Sequence, residues 1–247
     1  MSDNFHSEGG ETRLFRAWFD EPKRTDAGPL LDAVTAIGRY RKLLTGLIER
    51  QTPECGRYTR YELWARGLTN ALDELEQSVY CAARFRESVT RGQEEKMTPE
   101  ERDDYRRHVY FYKNGLIRLF SILDKLGYFL NDLLKLKSER VKNKFSYFTV
   151  LRQMQHLHAE PGLCEPLQSI KNAYREPLAR LREKRNMEIH LVNTEMLDDL
   201  LHIDLCRADR TYIEDLSANM DDLRQGMDMV CRTLATVFDY VHDRKKT

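Results

Sequence analysis

At 247 residues the chain has room for one large domain or two small ones, and forty basic residues against forty acidic ones give a formal net charge of zero. That balance argues for no partner. A charged fraction of 32% with only 12 Gly and 7 Pro suits a soluble, helix-rich protein, and no apolar run approaches the roughly 18 residues that would cross a bilayer. The polar, acidic opening has neither the basic start nor the apolar stretch of a secretory signal. Five scattered cysteines, Cys55, Cys81, Cys164, Cys206 and Cys231, never form a C-x-x-C and read as reduced thiols, so a cytoplasmic protein is expected.

Residues 1–12 are small and polar, with Gly9-Gly10, and read as a disordered tail. Leu14, Phe15, Trp18 and Phe19 then fall at helical spacing. A first sustained helix is predicted from Pro29 to about Glu49, with Leu30, Val34, Ile37, Leu44 and Ile48 on one face and Thr52-Pro53 breaking it. A second is predicted from the capping box Thr59/Glu62, with Tyr58 stapled on Leu63, and runs to Arg91-Gly92. Thr98-Pro99-Glu100-Glu101 marks a third start, with a cap, a first-turn proline and acids at the positive helix end.

The strongest pattern follows. Tyr105, Val109, Tyr112, Leu116, Leu119, Leu123, Leu126, Leu130 and Leu133 alternate four- and three-residue steps. A final helix repeats this with Leu216, Met220, Leu223, Met227, Val230, Leu234, Val237 and Val241, opened by a capping box at Thr211 and Glu214. Two such seams are expected to pack as antiparallel or supercoiled bundle partners. Between them the sequence predicts a helix over Phe145–Leu157, a loop at Glu160-Pro161-Gly162, and a helix from Pro166 to Lys184 that Pro177 kinks or restarts. No stretch has the alternation of a strand. The fold class is therefore all-α, a helical bundle of four to five core helices over residues 98–247 with an N-terminal helical extension over residues 13–97.

The zero net charge hides a polarity. Leu134 to Arg185 holds six Lys and six Arg against five Glu and no Asp, a surplus of seven positive charges. Asn186 to Leu223 holds ten acids against two Arg, an excess of eight negative charges. A basic stretch attracts a nucleic-acid backbone; equally, the two segments can neutralise each other. Phe145, Tyr147 and Phe148, set among Lys142, Lys144 and Arg152, either stack unpaired bases or belong to the core.

The sign of the charge changes at Arg185-Asn186-Met187-Glu188-Ile189-His190. Arg185 is a permanent cation whose planar fork fits a phosphate. His190 exchanges a proton near neutrality, and Asn186 both donates and accepts hydrogen bonds. On a helix Asn186 and His190 share a face, whereas Arg185 must curl back to join them. That is easiest at a helix start or where a second subunit completes the pocket. Glu188 is expected to pair one turn back with Arg185 or Lys184. No H-E-x-x-H, zinc-type Cys/His spacing, P-loop, G-x-G-x-x-G or G-x-S-x-G is present, and His156 and His158 point to different helix faces.

An R-N-x-x-x-H run late in an all-helical chain resembles the HEPN superfamily (higher eukaryotes and prokaryotes nucleotide-binding), in which R-x4-6-H marks metal-independent RNA endonucleases. The resemblance covers roughly residues 100–245. It implies RNA as substrate, no cofactor and no metal, and Arg185, Asn186 and His190 as catalytic residues. It further implies a polar residue on a preceding helix, Asn131 or Asp132, orienting His190, or else a buried Asn bonded to backbone. Lys142, Lys144, Arg152 and Arg182 are the candidate RNA-binding cations. A homodimer with a composite site follows from the resemblance, as does a toxin or phage-defence setting with an antitoxin or other defence-system partner protein. The competing readings are a non-catalytic HEPN-like module that binds nucleotides or protein, and a plain helical scaffold.

Overall fold

A computed structural model of the chain describes residues 24–138, 145–190 and 213–244, with the backbone but not the side chains of Ile189 and His190. It is an all-α bundle. Among the described residues its helices are α1 (Gly28–Glu49), α2 (Cys55–Glu87), α3 (Pro99–Leu133), α4 (Tyr147–His156), α5 (Pro161–Ala173), α6 (Arg175–His190) and α7 (Leu216–Arg244), with a 3-10 turn, Glu94–Lys96, before α3. The predicted tail, the aromatic cluster at Leu14–Phe19, and Lys142, Lys144, Cys206 and Thr211 lie outside the described residues.

Helix starts follow the sequence unevenly. Thr98 caps α3 as predicted, its hydroxyl accepting the Glu101 N–H at 3.2 Å with Pro99 in the first turn. α2 opens a turn before the predicted box. The N–H groups of Arg57 and Tyr58 bond to the Glu54 carbonyl, and the Thr59 hydroxyl turns back to the Cys55 carbonyl at 3.0 Å. Glu62, the acid meant to close that box, is held instead by Arg41 of α1 at 2.9 Å. At α7 the cap is Asp215, whose Oδ1 accepts from Ser217 N–H and Ala218 N–H, each at 3.0 Å. The predicted loop at Pro161 is already the first turn of α5, which carries Pro166 inside it. The break comes at Tyr174, so Pro177 sits in the first turn of α6, where a missing N–H costs nothing.

One apolar cluster runs through all seven helices, from Ala33 in α1 to Val241 in α7. At one end it is aromatic: Tyr40, Tyr61, Phe129 and Phe238 meet edge-on, tilted or stacked with centroids 5.4–6.1 Å apart. The seam on α3 is buried from Tyr112 to Leu130. It packs on α7 in the same chain direction: Gly115 meets Leu223, Leu119 meets Gly226 and Phe129 meets Phe238. Of the two expected arrangements, antiparallel or supercoiled, the antiparallel one does not hold: the seams run parallel, because α4, α5 and α6 occupy the connection and return the chain to its starting end. α2 is the antiparallel neighbour of α3, with Ser78 opposite Asn114 and Tyr61 opposite Phe129.

Two glycines set how closely the site-bearing helices approach. A Cβ on Gly226 would lie 2.5 Å from Leu119 Cδ1 and 2.7 Å from Leu181 Cδ1, so α7 makes room where α3 and α6 meet. A Cβ on Gly127 would lie 2.9 Å from the Tyr147 Cα, so the start of α4 rests directly on the α3 backbone. Cys55, Cys81, Cys164 and Cys231 are free thiols, and all but Cys55 are buried. Among the described residues no helix is long and apolar enough to cross a membrane.

Candidate functional site

α6 buries Leu178 and Leu181 against the bundle, and its charged side chains sort around that strip. Arg180 donates to both oxygens of Asp222 on α7, each at 2.7 Å, and Lys184 reaches Glu214 at 2.5 Å. Four residues apart, these two share the face toward α7. The basic and acidic segments therefore do neutralise each other there.

Arg182 and Arg185 face α3 and α4 instead. The Arg185 guanidinium lies over the Phe120 ring of α3, 4.8 Å from its centroid, and Arg182 lies over Phe148 of α4 at 4.4 Å. Phe148 is placed by the start of α4, where the Ser146 hydroxyl accepts the Thr149 N–H at 3.3 Å and Gly127 allows close contact. The Nε of Arg185 is buried with no hydrogen-bond partner, and among the described residues no carboxylate forms an ion pair with Arg182 or Arg185. Asp124, one turn beyond Phe120, is the nearby acid. Burial pushes its carboxyl pKa up, opposed by the Tyr147 N–H it accepts at 3.4 Å and by the Arg185 cation. Withdrawal from water lowers the Arg182 pKa, and the neighbouring charge of Arg185 lowers it further.

The motif occupies the end of α6 and not a helix start. Asn186 is exposed, about 100° around the helix from Arg185, and the backbone of His190 returns to the Asn186 side. The His190 side chain lies outside the described residues. Glu188 is taken by Lys113 of α3 at 3.3 Å, not by Arg185 or Lys184, because α3 lies alongside this end of α6.

Asn131 and Asp132 are not brought to the motif. Arg185 sits level with Phe120 and Glu188 with Lys113, so α6 runs antiparallel to α3 and its His190 end leads away from Leu133. Asn131 is eleven residues beyond Phe120, roughly 16 Å along the axis. Its Oδ1 accepts the Ser138 N–H at 2.9 Å and closes the turn after α3, while Asp132 is held by Arg60 at 2.9 Å. Arg152 is exposed one turn on from Phe148, on the same face of α4. Of the three aromatics in the basic stretch, Tyr147 is fully buried and Phe145 stacks on Tyr128 at 4.1 Å. Among the described residues of that stretch, Phe148 is the aromatic that meets a cation.

The sequence reading missed Phe120 and Asp124. The signal for Asp124 was faint: it is the one acid from Leu119 to Leu126, a tract that also holds Ser121 and Lys125.

An all-α bundle carrying R-N-x-x-x-H on a helix laid against a long apolar one defines a HEPN domain. The family model for Cthe2314-like HEPN matches residues 64–242, and the chain belongs to that family. No curated protein and no solved structure matches the chain. The match opens within α2 and closes within α7. α1 lies before it, yet packs on α7 through Tyr40 and Phe238, whose centroids are 5.5 Å apart.

Proposed function

We propose that the protein is a metal-independent endoribonuclease that cleaves RNA by transesterification. His190 takes the proton of a ribose 2′-hydroxyl, and the freed oxygen attacks the adjacent phosphorus. The P–O5′ bond breaks, leaving a 2′,3′-cyclic phosphate and a 5′-hydroxyl. Arg185 grips the non-bridging oxygens and stabilises the charge that builds on them. Asn186 orients His190 or the phosphate, and Asp124 steadies the guanidinium across from it.

The observation that carries this reading is Arg185 itself: a cation on the HEPN motif, held over Phe120, with no ion-paired carboxylate among the described residues. The leaving oxygen needs a proton, and the motif holds one imidazole, so a second copy supplies the other in a homodimer. Exposed Tyr110, Ile117 and Tyr128 share one face of α3, the helix that α6 packs on, and offer a surface for it. A toxin or phage-defence role, with an antitoxin or other defence partner, belongs to the same reading.

The test is incubation of the purified protein with total RNA in EDTA, followed by analysis of the ends produced. Wild type should yield cyclic-phosphate ends and His190→Ala none; cleavage that requires a divalent metal contradicts the mechanism. A non-catalytic nucleotide-binding module is the second reading. It is favoured by one feature: the two-arginine face of α6 needs no histidine to bind a phosphate.

A further inference from the structure

The mechanism above uses one cation, and the fold sets a second beside it. Arg182 and Arg185 are three residues apart and share a face of α6. Each guanidinium carbon lies over a ring, Phe148 at 4.4 Å and Phe120 at 4.8 Å; Arg182 is exposed, and the Nε of Arg185 is a buried donor without an acceptor. Three other charges of α6 are paired: Arg180 with Asp222, Lys184 with Glu214 and Glu188 with Lys113. Among the described residues no carboxylate forms an ion pair with either arginine of this face, and Asp124 is the acid that interacts with Arg185.

We propose that Arg182 and Arg185 together form a two-guanidinium site for a doubly charged phosphoryl group. Two fixed positive charges one turn apart repel each other, and a dianion relieves that repulsion more completely than a monoanion does. Two sources supply such a group: a terminal phosphate monoester, which carries close to two charges above its second pKa near 6, or a phosphodiester in the pentacoordinate transition state. The proposal rests on the reading of Arg185 as a phosphate-holding residue, and not on strand cleavage.

The full chain is titrated calorimetrically at pH 8 with inorganic phosphate and, separately, with dimethyl phosphate, a monoanion. Phosphate should bind saturably and dimethyl phosphate weakly. Arg182→Gln and Arg185→Gln should each lower phosphate affinity about tenfold or more. Arg182→Lys, which keeps the charge and loses the fork, should fall between. Arg175→Gln, at an exposed position at the far end of the same helix, should bind as wild type does. No saturable binding by wild type, or an Arg182→Gln variant that binds phosphate unchanged, overturns the site. Thermal unfolding of each variant checks that the bundle is intact. In the RNA assay, a fall in kcat for Arg182→Gln assigns the dianion to the transition state, and a rise in KM alone assigns it to a phosphate of the bound strand. Phosphate binding that depends on both arginines without RNA cleavage leaves the site standing and removes the nuclease; cleavage that survives Arg182→Gln with phosphate binding unchanged does the reverse.

Discussion

Arg185→Ala separates a working cation from a structural one. In the fold the side chain contributes one cation–π contact over Phe120 at 4.8 Å, about 0.5–2 kcal/mol for a partly desolvated pair. Against that, its Nε is buried without an acceptor, and removing an unsatisfied buried donor returns about 1–3 kcal/mol. The two nearly cancel, so the unfolding free energy should stay within about 1 kcal/mol of wild type, a Tm change of no more than about 4 °C at this chain length. Function should respond quite differently. Losing a positioned donor to a developing oxyanion costs about 2.7–4 kcal/mol in the transition state, a rate lower by about 10²–10³. Single-turnover cleavage of a labelled RNA in EDTA and differential scanning calorimetry on the same preparations read the two quantities. Wild-type cleavage by the variant refutes the role given to Arg185; a Tm lower by about 10 °C refutes the claim that the fold does not depend on it.

Gly226→Val should lower Tm by roughly 2–12 °C, because its Cβ would meet Leu119 and Leu181, both sealed in the core, at 2.5 and 2.7 Å; a Tm at or above wild type contradicts the close approach of α3, α6 and α7. Glu101 titrates near 2 rather than 4.5: its burial opposes the charge, but the N–H groups of Thr90 and Arg91, at 2.7 and 2.8 Å, outweigh it. A depressed carboxyl contributes stability that is complete above about pH 4.5 and lost as pH falls toward 2, so Glu101→Gln should flatten the acid limb of Tm against pH and leave the shape above pH 6 alone. Arg180→Ala should lower stability, by less than loss of a fully buried pair because Arg180 is half-exposed, by stranding the buried carboxylate of Asp222. Adding Asp222→Asn should recover part of the loss in urea unfolding; a strictly additive double variant would mean that the two side chains do not interact.

The helical class and the two long seams were legible because burial imposes a 3.6-residue period over many turns, and both α3 and α7 carry it far longer than chance allows. The direction in which they pack was not. A seam's period is the same read either way, and what decides parallel from antiparallel is how many helices fit in the connection. Helix starts failed where a side chain had a better partner at long range. Glu62 bonds to Arg41 and Glu214 to Lys184, and neither is then available to close a local capping box. Thr98 kept its cap because the acid that follows it, Glu101, turns toward Thr90 and Arg91 without giving up the backbone N–H that Thr98 holds.

The site divides along the same line. Arg185 could be singled out from residue order, by the R-N-x-x-x-H run and its late position in a helical chain. Which acid faces it could not. Asn131 and Asp132 drew attention because they are polar within an apolar tract, whereas Asp124, with Ser121 and Lys125 close by, reads as an ordinary polar position; the level at which α6 crosses α3 is what brings it to Arg185. That level is fixed by Gly226 beneath Leu119 and Leu181, and by Lys113 reaching Glu188. Sequence alone likewise could not say which of Arg180, Arg182, Lys184 and Arg185 are spent on neutralising α7. The answer lies in a 100° step around one helix: Arg180 and Lys184 fall toward the acids of α7, and Arg182 and Arg185 fall toward the rings of Phe148 and Phe120, which cover a guanidinium without cancelling its charge.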